Sequence, residues 1–251
     1  MDNVSEAYSF LGSGSILLAQ DPFNVTSGER GLSNNNIPQA FSLNLTWSTP
    51  FLKNSHSWYG RLAGGWTVGM FELWDAGRPM TPVQLTLGAN ATSDSTFNSF
   101  AAGYDTVRPF LITPSAPMNS VGEFLSNGTL VNLYNTSQVV QLNQIHWLYN
   151  NLAADKAMGT PFGVGRNTLT APRFQRADMS IYKNFSLTER FKLQIRGEAQ
   201  NAFNHTVYPT PNLYIEQATF LNVTSGENSL GNQSSGAAGP RVIKLGAKIT
   251  F

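Results

Sequence analysis

Arg241-Val242-Ile243-Lys244-Leu245-Gly246-Ala247-Lys248-Ile249-Thr250-Phe251 is the stretch whose reading decides the fold. From Ile243 onward every second residue is apolar: Ile243, Leu245, Ala247, Ile249 and Phe251. Lys244, Gly246, Lys248 and Thr250 fill the places between. A period of two puts the two sets on opposite faces of an extended strand. The strand predicted here is long and ends on an aromatic ring.

The same signature recurs upstream. Phe191, Leu193, Ile195, Gly197 and Ala199 alternate with Lys192, Gln194, Arg196, Glu198 and Gln200. Before it, Ala177, Met179 and Ile181 alternate with Arg176, Asp178, Ser180 and Tyr182. The intervening Phe185–Glu189 reads as a short turn, which makes a hairpin. Phe41, Leu43, Leu45 and Trp47 give a further strand over Ala40–Thr49. Gly65–Trp74 is a fifth: Trp66, Val68 and Met70 set one phase, then Phe71 and Leu73 suggest the other, as at a β-bulge. Helical signal is weak, with a short helix expected only over Asn150–Met158.

Short and long connections alternate between these strands. Pro50–Leu62 and Phe185–Glu189 are short; Met1–Gln39, Asp75–Arg173 and Asn204–Pro240 are long. A connection of about a hundred residues is unusual inside a compact soluble domain. Transmembrane β-barrels have this arrangement, with short turns on one side and long loops on the other. Strand length fits, since about 9–11 tilted residues cross a bilayer. Trp47, Trp66, Trp74, Phe185, Phe191 and Phe251 lie near strand ends, where interfacial aromatic girdles form. The fold class expected is therefore all-β: an antiparallel up-and-down transmembrane barrel segment of about five long strands with long outer loops. A soluble β-sandwich shares the alternation, but it must bury the Ile243/Leu245/Ala247/Ile249 face in a protein core.

Composition narrows the function classes. Charged residues make up 12 % of the 251, aromatics 12 %, and net charge is +1. The charged share is about half the usual quarter, and the balance excludes a polybasic nucleic-acid binder. Cysteine is absent, which removes disulfide scaffolds and thiolate metal sites. No cofactor, metal site or catalytic residue is expected. His56, His146 and His205 are scattered without carboxylates at ligand spacing, and no nucleophile-elbow motif occurs.

Several segments are recognisable in order. They are Asp21-Pro22-Phe23-Asn24, Glu29-Arg30-Gly31-Leu32-Ser33, Gly77-Arg78-Pro79-Met80-Thr81-Pro82 and Gly165-Arg166-Asn167-Thr168-Leu169. There follow Arg176 to Phe185, Glu189 to Gln194, and Glu198-Ala199-Gln200-Asn201-Ala202-Phe203-Asn204-His205. Together they resemble the C-terminal barrel portion of an Oar-like TonB-dependent outer-membrane receptor. Lys244, Gly246, Ile249 and Phe251 resemble the C-terminal signal read by the barrel assembly machinery. The resemblance implies the outer membrane, contact with its lipid, and uptake of an unknown large solute without chemistry on it. Energy would come from TonB acting on a plug domain. No plug is recognised in 1–251, and about five strands cannot close a barrel of about 22. The chain is thus expected to be a C-terminal part of a longer protein. A passive outer-membrane barrel serving adhesion or surface structure, and a soluble carbohydrate-binding sandwich, are the competing readings.

Two further expectations concern side chains. Phe191, Leu193, Ile195, Ile243, Leu245 and Ile249 should face lipid. Arg176, Asp178, Arg196 and Glu198 should form a lumen-facing ladder, with Asp178 opposite Arg196 and Arg176 opposite Glu198. In the long connections, Tyr104, Phe110, Tyr134, His146, Trp147, Tyr149, Tyr208 and Tyr214 suit either exposed ligand capture or loops folding on themselves.

Overall fold

Alternating sequences give the long strands, and the long connections carry the shorter ones. The computed structural model describes residues 20, 30–33, 36–51, 57–84, 107–188, 190–208, 211–223 and 240–251. Asp21–Asn24, Glu29, His56, Tyr104 and Glu189 lie outside the described residues. In chain order the elements are β1 (Ala40–Ser48), α1 (Trp58–Ala63), β2 (Trp66–Asp75), β3 (Pro79–Met80), β4 (Phe110–Leu111), β5 (Val121–Phe124) and β6 (Leu130–Asn132). Then come β7 (Asn135–Val139), β8 (Trp147–Leu148), α2 (Leu152–Met158), β9 (Leu169–Thr170), β10 (Phe174–Ser186), β11 (Lys192–Gln200) and β12 (Val242–Thr250). They divide into two compact units.

The strand unit comprises Ile37–Ala76, Arg173–Val207 and Gln233–Phe251. Its five strands lie in the order β1-β2-β10-β11-β12, every pair antiparallel. Spatial order equals chain order, as in an up-and-down meander. All five strands expected from the alternation are present. The sheet does not close on itself: β1 and β12 are its edges. β2 pairs with β1 from Thr67 to Asp75 and with β10 from Trp66 to Asp75 without a break, so the expected bulge is absent. The shift in pattern arises because Phe71 and Leu73 stand among polar neighbours while Glu72 stands on the apolar side. Helix α1 was not legible; it occupies part of the short Pro50–Leu62 connection.

The connection unit comprises Met1–Asn36, Gly77–Pro172 and Tyr208–Asn232. Its main sheet runs β4-β8-β5-β6-β7, with β5 and β8 parallel. Successive strand residues point to opposite faces, so Trp147 and Leu148 enter different cores. Trp147 and Val121 pack with Met80, Val83, Tyr149, Leu169, Leu213, Tyr214, Ile215 and Phe220. Leu148 packs with Phe110, Leu130, Ile145 and Ala154. Helix α2 matches the helix expected over Asn150–Met158. The Asn151 side chain accepts from the Ala154 N–H at its start, and Gly159 closes it in the left-handed region at φ 71°.

Buried backbone away from the strands is satisfied by two amides. Gln84 Oε1 accepts from the Asn150 N–H at 2.7 Å, and its Nε2 donates to the Asn150 carbonyl at 3.0 Å. Asn150 Nδ2 donates to the carbonyls of Arg108 and Pro161 at 3.0 and 2.9 Å. Buried polar backbone left without such partners would cost about 1–3 kcal/mol per group.

The Tyr134 hydroxyl donates to the Ile215 carbonyl at 2.7 Å. Burial, then the Glu216 carboxylate, push this phenol above its ordinary value. A folded-state value above the unfolded one gives stability that is complete below the ordinary tyrosine range. That stability is lost as pH rises above about 10, where the unfolded chain ionises first. The connection unit should therefore lose stability in alkali, and Tyr134→Phe should flatten that loss in a denaturant series run against pH.

Candidate functional site

The sheet of the strand unit presents two unlike faces, and its register fixes both. One face carries Phe41, Leu43, Leu45 and Trp47 from β1, with Trp66, Val68, Met70 and Trp74 from β2. Ala177, Met179, Ile181 and Phe185 follow on β10, then Leu193, Ile195, Gly197 and Ala199 on β11. Ile243, Leu245, Ala247 and Ile249 complete it on β12. The other face carries Ser42, Asn44 and Thr46, then Arg176, Asp178 and Ser180, then Gln194, Arg196 and Glu198, then Lys244, Gly246 and Lys248.

Along β12 the apolar face lies open. Ile243 is 65 % exposed, Leu245 86 % and Ile249 59 %. Each such side chain would gain about 1.5–3 kcal/mol from burial, and among the described residues nothing supplies it. A soluble sandwich would have buried this face, so the structure speaks against that reading. Phe191 and Phe251 meet at one end with ring centroids 6.4 Å apart.

The charge ladder shares one face, but its pairing differs from the expectation. Tyr182 lies opposite Arg196, and Ser180 opposite Glu198. The cause is the turn. β10 runs on through Phe185 to Ser186, and the reversal falls at Leu187–Phe191. There the Leu187 N–H bonds the Phe191 carbonyl at 2.9 Å, and the Phe191 N–H bonds Thr188 Oγ1 at 3.1 Å. Charges therefore pair along strands. Arg176 donates twice to Asp178, at 2.9 and 2.8 Å, and Arg196 stands 3.4 Å from Glu198. Across the next pair Glu198 lies opposite Lys244. Asp178 also accepts from the Asn201 N–H at 2.9 Å.

That contact explains the Gln200–His205 motif. Asn201 and Asn204 have φ of 48° and 52°, a region asparagine enters more readily than most residues. Asn201 holds His205 through both its side-chain atoms. The motif is a turn that ends β11 and is tied back to β10. His205 thus takes part through its backbone.

The four expected C-terminal signal residues split between faces. Lys244 and Gly246 stand on the polar face, Ile249 and Phe251 on the apolar one. Gly246 leaves the space over which the Arg196 stem lies, its Cγ and Nε both 3.4 Å from where a Cβ would be.

Within the connection unit, three other recognised segments meet. Pro79 and Met80 pair with Thr170 and Leu169. Thr81 Oγ1 donates to Asn167 Oδ1 at 3.2 Å and accepts from the Asn167 N–H at 2.9 Å. Asn167 Nδ2 donates to the Leu32 carbonyl. Backbones approach closely: a Cβ at Gly77 would stand 1.8 Å from the Ala171 oxygen. Gly77→Ala must displace backbone and should cost about 1–3 kcal/mol or more, read as a lower denaturation midpoint for this unit.

The aromatics of the long connections mostly form core. Phe110, Trp147, Tyr149 and Tyr214 are buried. His146 is buried too, its Nδ1 3.1 Å from the Ala116 carbonyl. These five are not an exposed capture surface, because the described residues of Asp75–Arg173 build a sheet of their own; Tyr134 and Tyr208 are exposed. Among the described residues, no group of three or more His, Asp or Glu could hold a metal ion.

A two-faced, open-faced antiparallel meander with strands of 9–13 residues defines a membrane β-barrel strand set. A family model described as outer membrane beta barrel domain matches residues 1–244, and the chain belongs to that family. It is an outer-membrane protein. No curated protein and no solved structure matches the chain.

Proposed function

We propose that this chain is the C-terminal barrel portion of an Oar-like TonB-dependent receptor that takes up a large solute. The carrying observation is the meander itself: five antiparallel strands in chain order, joined alternately by short and long connections. In this reading Phe191, Leu193, Ile195, Ile243, Leu245 and Ile249 face lipid. Arg176, Asp178, Arg196 and Glu198 face the aqueous interior. The short-turn end is periplasmic, and the connection unit belongs to the cell exterior. Edges β1 and β12 pair with further strands of the same polypeptide, because unpaired edges in lipid cost several kcal/mol per group. Lys244, Gly246, Ile249 and Phe251 serve recognition by the assembly machinery. The chain does no chemistry on the solute.

Reading the genomic DNA upstream of the Met1 codon tests this. An open frame encoding further alternating strands and a plug with a TonB-contact segment is expected. A stop codon and ribosome-binding site directly before Met1 would contradict it. A passive surface barrel draws support from the well-packed connection unit, which suits adhesion; a plug in the upstream frame would reject that alternative.

A further inference from the structure

Helix α1 and Lys183 are unexplained by the barrel alone. Lys183 projects from the apolar face of β10, directly opposite Trp66, yet it is buried. Its ammonium donates to the Leu62 carbonyl at 3.0 Å and to the Gly64 carbonyl. It also stands 5.6 Å from the Trp66 ring centroid and 4.9 Å from that of Phe185. Trp66 Nε1 donates to the same Leu62 carbonyl at 3.0 Å. Leu62 and Gly64 are the C-terminal end of α1. A cation there satisfies end carbonyls and complements the helix dipole. A six-residue helix is too short to persist unaided in water, so this clamp is what fixes it.

The clamp holds α1 on the apolar side of the sheet. Gly60 and the closing Gly64 are buried, while Ala63 is exposed. Trp58 and Leu62, four apart and so on one helix face, are 76 % and 60 % exposed, and Tyr59 is 58 % exposed. Rings of Trp58 and Tyr59 meet edge to face at 6.1 Å. This aromatic surface continues the apolar face at the end that also bears Trp66, Phe185, Phe191 and Phe251. Tryptophan and tyrosine are the residues that settle at the headgroup level of a bilayer.

We propose that α1 is a membrane-interface anchor, its Trp58, Tyr59 and Leu62 seated in the phospholipid headgroup layer at the short-turn end of the sheet. The occupant is lipid, since the surface is continuous with the face that meets lipid; the inference rests on that assignment. Lys183 is then a positioning residue, spared the cost of a bare charge in lipid because helix carbonyls surround it.

The chain has no cysteine, so single spin labels report one site. Tyr59→Cys gives up the ring contact with Trp58 and Leu62→Cys an exposed side chain; neither removes the Leu62 and Gly64 carbonyls that Lys183 holds. Each would be labelled in the protein reconstituted in phosphatidylcholine–phosphatidylglycerol vesicles, with Leu245→Cys, near the middle of β12, and Thr188→Cys as references. Collision with oxygen is expected to exceed collision with a water-soluble nickel chelate at 59 and 62, at shallower depth than at 245. Nickel-dominated collision at 59 and 62, with 245 still oxygen-dominated, would overturn the anchor. Labels at 59 and 62 shielded from both reagents would overturn it as well, pointing to a protein partner. Nickel-dominated collision at 245 would instead overturn the lipid-facing assignment. Lys183→Met should increase label mobility at 59; unchanged mobility would contradict the clamp.

Discussion

Leu245→Arg should weaken folding into a bilayer by about 2–4 kcal/mol, the cost of a cation near the midplane of a barrel's lipid face. Leu245 lies near the middle of β12, opposite Gly197. At 86 % exposure it loses almost no packing when replaced. In water such a surface change would alter stability by only about 0.5 kcal/mol. The size of the effect therefore reports the solvent on that face. Denaturant titration of the protein in vesicles measures it, with Lys248→Ser on the polar face of the same strand as the reference that should change little.

Trp147→Ala should destabilise the connection unit by about 3–5 kcal/mol, the range for removing a large buried aromatic. The indole is 1 % exposed and sits edge to face with Phe220 at 6.4 Å. Its Nε1 donates to the Met118 carbonyl at 2.9 Å, which is left without that donor in the variant. The strand unit has its own hydrogen-bonded ladder and does not include this residue. Protease added to intact cells should cut the variant within Gly77–Pro172 at lower concentration, while the amount of protein in the outer membrane stays near wild type.

The long strands were legible because a half-buried strand writes its period into the sequence. Ile243 to Phe251 and Phe191 to Gln200 did so without ambiguity. Hairpin register was not, since it depends on where the chain turns: Phe185 and Ser186 extend β10, moving every cross-strand partner. The phase of β2 was obscured by three residues, Phe71, Glu72 and Leu73, each on the face opposite to its type. Glu72 there accepts from Gln175 Nε2 at 3.3 Å, a partner no local pattern reveals. The connection unit escaped notice because its strands are two to five residues long, too short for periodicity to speak. Its core instead joins Val83, Trp147 and Tyr214, far apart in sequence. The recognised segments were legible as a set but not as contacts; Thr81, Asn167 and Leu32 meet only in three dimensions.

Cysteine substitution along β11 tests the central claim most directly. Each residue from Lys192 to Gln200 would be replaced singly in the cysteine-free protein and exposed, in the outer membrane, to a membrane-impermeant maleimide. The account predicts labelling at 194, 196 and 198 and protection at 193, 195 and 199. Uniform labelling, or labelling with the opposite phase, would contradict a sheet with one face in lipid and the other in water.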